Sequence, residues 1–237
     1  MKRILLLIYF LGSFATLVKS QSYTLTRGLP VAEIAGTGTA ITGLGDDNSV
    51  GPFNIGFNFT FMGTAYTQFY LGSNGIITFG GGSGVSNITI PSSSVGRDLI
   101  AFACTDQDPR TSAGTPIINY LTSGTAPNRI LVLNYKNVQR FNSPTNITTA
   151  QVQLYENNGK IEIHSTLNAS NGNTRTIGIQ NASGTTSLTS TALNNTSMLN
   201  ANNETMRWCN FGLHFCCLFN LIFETQYFKL IWTHIPY

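Results

Sequence analysis

Apolar and polar residues alternate one for one along much of the central chain. In PFNIGFNFTF, Phe53, Ile55, Phe57, Phe59 and Phe61 alternate with Asn54, Gly56, Asn58 and Thr60. A period of two sets the rings on one face of a strand and the polar groups on the other. Met62-Gly63-Thr64 reads as a turn, and AYTQFYLG and GIITFGG as two further strands, joined by Ser73-Asn74-Gly75. Asn-Gly tolerates positive φ and marks a tight hairpin.

More strands are predicted at Asp98–Phe102, Pro116–Tyr120 and Arg129–Tyr135. The clearest hairpin is AQVQLYENNGKIEIHS, where Val152 and Leu154 precede an Asn158-Gly159 turn and Ile161 and Ile163 follow it. A last strand holds Ile177 and Ile179. No 3.6-residue apolar stripe and no internal repeat of roughly 20–50 residues interrupts the pattern. Many short strands between Gly, Asn, Ser and Pro turns predict an all-β fold, an antiparallel, jelly-roll-like β-sandwich, followed by a C-terminal tail whose pattern predicts no single element.

The two ends of the chain look different. Residues 1–20 carry Lys2 and Arg3, then an apolar run from Ile4 to Val18, then the small residues Val18 and Ser20. That is the form of a cleaved signal peptide leaving Gln21 first, and the apolar run is shorter than the ~20 residues of a membrane span. Residues 21–48 are rich in Gly and Thr and read as loop and edge strand. The sandwich is expected over 21–182, a Ser/Thr/Asn-rich linker over 183–207, and an apolar tail rich in Cys and aromatics over 208–237. The tail's longest apolar run, Phe211–Phe223, is interrupted by His214 and Asn220. It reads as a stretch foreign to the rest, such as translated intron, as a segment packed on the sandwich, or as a membrane-associating anchor.

Composition narrows the function. Of 237 residues 42% are hydrophobic and 10% charged, enough apolar matter for a core and too little charge for a disordered polyelectrolyte. The formal charge of +3 misleads, because Gln21–Met206 holds eight Lys/Arg against nine Asp/Glu, a near-neutral body at −1. Nucleic-acid binding and electrostatic membrane binding, which need basic patches, are therefore not expected. Cys104 stands alone in the body, with Cys209, Cys216 and Cys217 near the end, and no Cys/His spacing suggests zinc. Asn-x-Ser/Thr occurs at Asn58, Asn87, Asn146, Asn168, Asn181, Asn194, Asn195 and Asn203, glycan acceptors if the chain is secreted by a eukaryote.

Catalytic chemistry finds little to work with. His164 is the one body histidine, in phase with Lys160 and Glu162 on what reads as a solvated outer strand face, and no GxSxG elbow holds a serine. Asp106 and Asp108 flank Gln107 before Pro109. Carboxylates at i and i+2 in a loop make Asx turns, or converge on a hard cation such as calcium with oxygens from Asp46-Asp47-Asn48, or form a glycosidase pair. No cofactor beyond that possible calcium is expected. Gly80–Gly84 lacks the Lys-Ser/Thr of a phosphate loop and reads as a flexible connection. Tyr66, Phe69 and Tyr70 lie close enough together to suggest a sugar-stacking platform.

Four segments, in order, resemble the nidogen-like extracellular (NIDO) domain and related sandwich modules of bacterial surface proteins. They are FNIGFNFTFMGTAYTQFYLGSNGIITFG (53–80), DLIAFACTDQDP (98–109), TPIINYLTSGTAPNRILVLNYKNV (115–138) and TAQVQLYENNGKIEIHS (149–165). Asn74-Gly75, Phe79-Gly80, Asp106, Asp108, Tyr135, Asn137-Val138, Gln151 and Leu154 fall where that family's pattern has its marked positions. Ala103 and Cys104, or a neighbouring offset, stand in place of its Pro and Trp. The likeness covers about residues 50–180. It implies a secreted, non-catalytic module for extracellular matrix, adhesion or surface display, with extracellular proteins or glycans as partners. A carbohydrate-binding module is the alternative, with a hydrolase using Asp106 and Asp108, or a coat component pairing through strand edges, further behind. The membrane would be a partner only through the tail.

Overall fold

The computed structural model describes residues 22–111, 115–168, 174–197 and 203–210; the expected leader and the stretch 211–237 lie outside them. The described chain is two antiparallel sheets packed face to face, with no α-helix. One sheet runs in the order β1 (Tyr23–Gly28), β14 (Glu204–Asn210), β10 (Ile161–Asn168), β9 (Ser143–Tyr155), β8 (Ile130–Arg140), β7 (Ile117–Ser123) and β2 (Thr39–Ala40). The other runs β12 (Ser187–Leu188), β11 (Thr174–Gln180), β6 (Leu99–Cys104), β5 (Ile76–Thr78), β4 (Thr64–Gly72) and β3 (Ser49–Phe61), with β13 (Asn194–Ser197) also on β11. Each sheet has a meander at its centre, β3 to β6 in one and β7 to β10 in the other, as short turns between consecutive strands favour.

The expected alternation builds the core. Ile55, Phe57, Phe59 and Phe61 of β3 point inward and are buried, while Asn54, Asn58 and Thr60 face water. They meet Phe69, Leu71, Phe79 and Phe102 of their own sheet and Leu133, Tyr135, Val152, Leu154, Ile161 and Ile163 of the other. Each such side chain contributes ~1.5–3 kcal/mol by leaving water. Aromatic pairs add geometric preference: Phe61 and Phe79 lie 5.1 Å apart, and Phe102 meets Tyr135 edge-on at 5.1 Å. Ile76, Ile88, Ile90, Leu99, Ala101 and Cys104 form a smaller apolar cluster.

The end of the sandwich differs from the sequence-based expectation. The described residues of 183–207 are not a linker, since β12 and β13 pair with β11 and β14 starts at Glu204, and the boundary at 208 falls inside a strand. β14 lies between β1 and β10 in full register, from Tyr23↔Asn210 to Gly28↔Thr205 and from Ile161↔Trp208 to Ser165↔Glu204. Met206, Trp208 and Cys209 are buried, and the Trp208 indole donates to the Leu188 carbonyl at 3.0 Å. Upstream, Asn194 clamps Ile90 through both amide atoms, at 2.9 and 2.7 Å. Asn and Thr side chains hold this region, so apolar periodicity is faint there.

Two of the edge strands, β3 and β2, are closed to different degrees. The carbonyls of Ile55, Gly56 and Thr60 on β3, the last strand of its sheet, accept from Thr122 (2.7 Å), Arg129 (2.6 Å) and Tyr23 (3.4 Å) of the facing sheet. These side chains blunt the β3 edge against strand pairing. β2 ends the opposite sheet with Thr39 and Ala40 exposed.

Candidate functional site

Four loops converge at one end of the sandwich, and Asn74 ties them. This side chain is fully buried at the β4–β5 turn. Its Nδ2 donates to Asp47 Oδ1 and to the Gly84 carbonyl, both at 2.7 Å, and its Oδ1 accepts from the Gln107 backbone N–H at 2.7 Å. Gly75 follows at φ 73°, where a Cβ would lie 2.6 Å from the Ala103 carbonyl oxygen, so this turn needs glycine. The Gly75 carbonyl accepts from Phe102 and Ala103, and Tyr135 donates its hydroxyl to the Ser73 carbonyl. The Gly80–Gly84 stretch thus serves as a connection whose Gly84 carbonyl is one of the ties.

Asn48 folds the preceding loop. Its Oδ1 accepts from Gly45 N–H at 2.7 Å and its Nδ2 donates to the Gly43 carbonyl at 3.0 Å. The turn between carries Asp46 and Asp47, with Asp47 at φ 50°. Each of Asp46, Asp47 and Asp106 offers a carboxylate oxygen within 4.8 Å of the others. Burial first, then the Asp47 and Asp46 charges, push the Asp106 carboxyl above its ordinary range, against the pull of Arg140. Asp46 Oδ1 is buried with no hydrogen-bond partner.

The two aspartates singled out by the sequence therefore part company. Asp106 joins Asp46 and Asp47. Asp108 turns away: its carboxylate, 1% exposed, accepts from Arg110 Nε at 2.9 Å, Nη2 at 2.8 Å and the backbone N–H at 3.0 Å. Hydrogen bonding to Arg110 holds Asp108 below the usual carboxylate range. Arg110 thus takes the Asp108 carboxylate, which stands outside the group that Asp106 forms with Asp46 and Asp47. Three carboxylates suit a hard cation, whose remaining oxygens must come from backbone or water.

Beside this cluster, the segment 38–44 and β7 enclose a shallow groove of about 450 Å³. Ala40, Leu44, Pro109, Pro116 and Ile117 give it an apolar lining. Ile117 is 48% exposed, one of three large apolar side chains so placed among the described residues, with Leu29 and Val31.

His164 is not on a solvated face. It points away from the inter-sheet core, as alternation requires, but is 3% exposed because segment 29–34 lies across that face. Its Nδ1 is 3.1 Å from the Val31 carbonyl oxygen and its Nε2 3.3 Å from Glu162. Glu162 also takes Lys160 at 2.8 Å and Arg207 at 2.9 Å, and Tyr155 Oη lies 2.9 Å away. Burial alone would raise the Glu162 carboxyl, but these hydrogen bonds outweigh it and hold it well below the ordinary range. Gln151 clamps Ile34 through both its amide atoms at 2.9 Å, and Glu33 pairs with Lys136 at 2.6 Å.

The other sequence candidates fall into place. Phe69 is buried, and Tyr66 stacks on Phe79 at 4.9 Å with its hydroxyl on Asp98, so Tyr66, Phe69 and Tyr70 form no exposed platform. Asn58, Asn87 and Asn203 are exposed. Asn146 is fully buried and accepts from Arg175, so a glycan there does not fit the folded sandwich. Asn181, Asn194 and Asn195 are half-buried and tie loops with their amides; the Asn168 side chain lies outside the described residues. Cys104 and Cys209 are buried, and burial pushes the Cys104 thiol up to about 11.

Sequence reasoning missed Asn74 as the organiser, reading it as a turn residue and a position of the family pattern. The signal was present in the Asn-Gly pair, but hairpins of this kind usually need no buried amide.

A family model described as NIDO related matches residues 22–211. No curated protein and no solved structure matches. No helix among the described residues is long and apolar enough to cross a membrane.

Proposed function

The chain belongs to the NIDO-related family, and from that premise we propose that it works outside the cell as a non-catalytic module that binds proteins or glycans of a matrix or surface layer. The family match over 22–211 carries this reading, because it spans both sheets and the loop cluster. The polar inventory supports it. His164 is covered by segment 29–34, Glu162 is buried among Lys160, Arg207, Tyr155 and His164, and Asp108 is closed by Arg110, so none of the three supplies a reachable base or nucleophile.

Export through the leader at 1–20 is part of the same proposal, with glycans carried on Asn58, Asn87 and Asn203. Intact mass of the secreted chain before and after enzymatic deglycosylation tests that part. The expected result is a mature start at Gln21 and glycan sites confined to exposed sequons. A glycan on Asn146 of the folded protein would contradict it.

The binding reading is tested with the full chain immobilised and exposed to purified matrix proteins and to a glycan array. Saturable binding to a matrix protein or glycan is expected. Absence of binding to all of them would overturn the reading, as would turnover of a glycoside substrate that disappears in Asp106→Asn.

A further inference from the structure

The β2 edge is the feature that the family reading does not account for. Among the described residues β2 pairs with β7 alone, Thr39↔Tyr120 and Ala40↔Asn119, and Ile41 N–H then donates to the Ile118 carbonyl at 2.9 Å. In an antiparallel ladder successive residues direct their backbone groups to opposite sides. With Ile41 turned toward β7, Ala40 directs its N–H and C=O outward. No described side chain caps them, in contrast to the β3 carbonyls, which Thr122, Arg129 and Tyr23 close.

This edge borders the apolar groove, with Ile117 presented at 48% exposure and Pro109, Pro116 and Leu44 around it. At Leu44 and Pro109 the groove runs directly into Asp46, Asp47 and the 106–108 loop. There the negative charge exceeds its local compensation: Arg110 is engaged by Asp108 at 2.8 Å and stands 3.7 Å from Asp46. The outward backbone groups of Ala40, apolar seats and a negative end together describe a receptor for one kind of chain.

We propose that the groove takes an extended, basic peptide segment of a partner protein, added as a further strand on β2. Main-chain hydrogen bonds to Ala40 hold it, an apolar side chain rests against Ile117, and a lysine or arginine meets Asp46 and Asp47. Strand addition draws affinity from the backbone and selectivity from alternate side chains and charge. The inference rests on the binding-module reading and names its partner class.

The test is anisotropy of a fluorescein-labelled eight-residue peptide alternating valine and lysine, titrated with the full chain. An alternating valine–glutamate peptide is the charge control. Saturable binding of the lysine peptide is expected, weakened at least tenfold in Ala40→Pro, which removes the outward N–H at an edge position that tolerates proline. Ile117→Ser, a surface change, gives a second reading of the groove with urea midpoints checking both folds. Asp46→Asn with Asp47→Asn should erase the preference for lysine over glutamate.

No binding of the lysine peptide overturns the proposal. So does equal binding of the glutamate peptide, or affinity unchanged in both Ala40→Pro and Ile117→Ser. Matrix binding by the wild-type chain that survives Ala40→Pro overturns the groove while leaving the wider reading intact.

Discussion

Two carboxylate centres in this sandwich face opposite physical situations. Around Glu162, three potential cations, Lys160, Arg207 and His164, gather on one acid beneath a covering segment. Around Asp106, three acids gather at a loop surface with Asp47 exposed. The first carboxyl is held below its ordinary range and the second pushed above it. A compensated, covered centre supports the fold; an under-compensated, open one destabilises it slightly and marks a candidate functional site.

The sharpest way to break this contrast is Glu162→Ala. It leaves Lys160, Arg207 and His164 converging on nothing, and should cost about 3–5 kcal/mol in urea unfolding. A loss below about 1 kcal/mol would mean that the covered centre is not structural. Asn74→Ala comes next, because it strips buried partners from Gln107 N–H, Gly84 C=O and Asp47 together. About 2–3 kcal/mol is expected, along with faster amide exchange in the 43–48 and 105–108 loops. Unchanged exchange there would refute its role as the tie.

The pH dependence separates the centres without mutation. Asp106 has a raised folded pKa, so its contribution to stability is present below its unfolded pKa and lost as pH rises through the folded one. Glu162 has a depressed folded pKa, so its contribution is present above its unfolded pKa and lost only as pH falls through the folded one. Lowering pH from neutral should therefore first raise stability modestly, with Asp98, which burial also pushes up, adding to the Asp106 rise, and then reduce it. The smallest expected effect is Asp47→Asn, within about 0.5 kcal/mol at pH 7, which should flatten the initial rise. A rise of unchanged size would show that Asp47 does not act on Asp106.

Much of the fold was legible because alternation is strong where rings are dense. Phe53 to Phe61 and Ile161 to Ile163 announce strands in any context. β14 was not, since Trp208 and Cys209 adjoin an apolar stretch of another character and Ser/Thr/Asn text precedes them. Its membership depends on pairing with β1, some 180 residues away in sequence. The parity of His164 was readable, but its burial was not: segment 29–34 is held by Thr205, Gln151 and His164 side chains on its backbone, which leave no periodic mark. Likewise the spacing of Asp106 and Asp108 gave no warning that Arg110 would claim one of them.

The neighbouring placement of β1 and β14 has a mechanical consequence. Tyr23 stands opposite Asn210, so a pull applied through the flanking chain at both positions loads the last rung of the ladder first. Such tension unzips bonds one after another instead of shearing them together. A module tethered through these two points would yield under light force, lengthening early while the meanders remain folded.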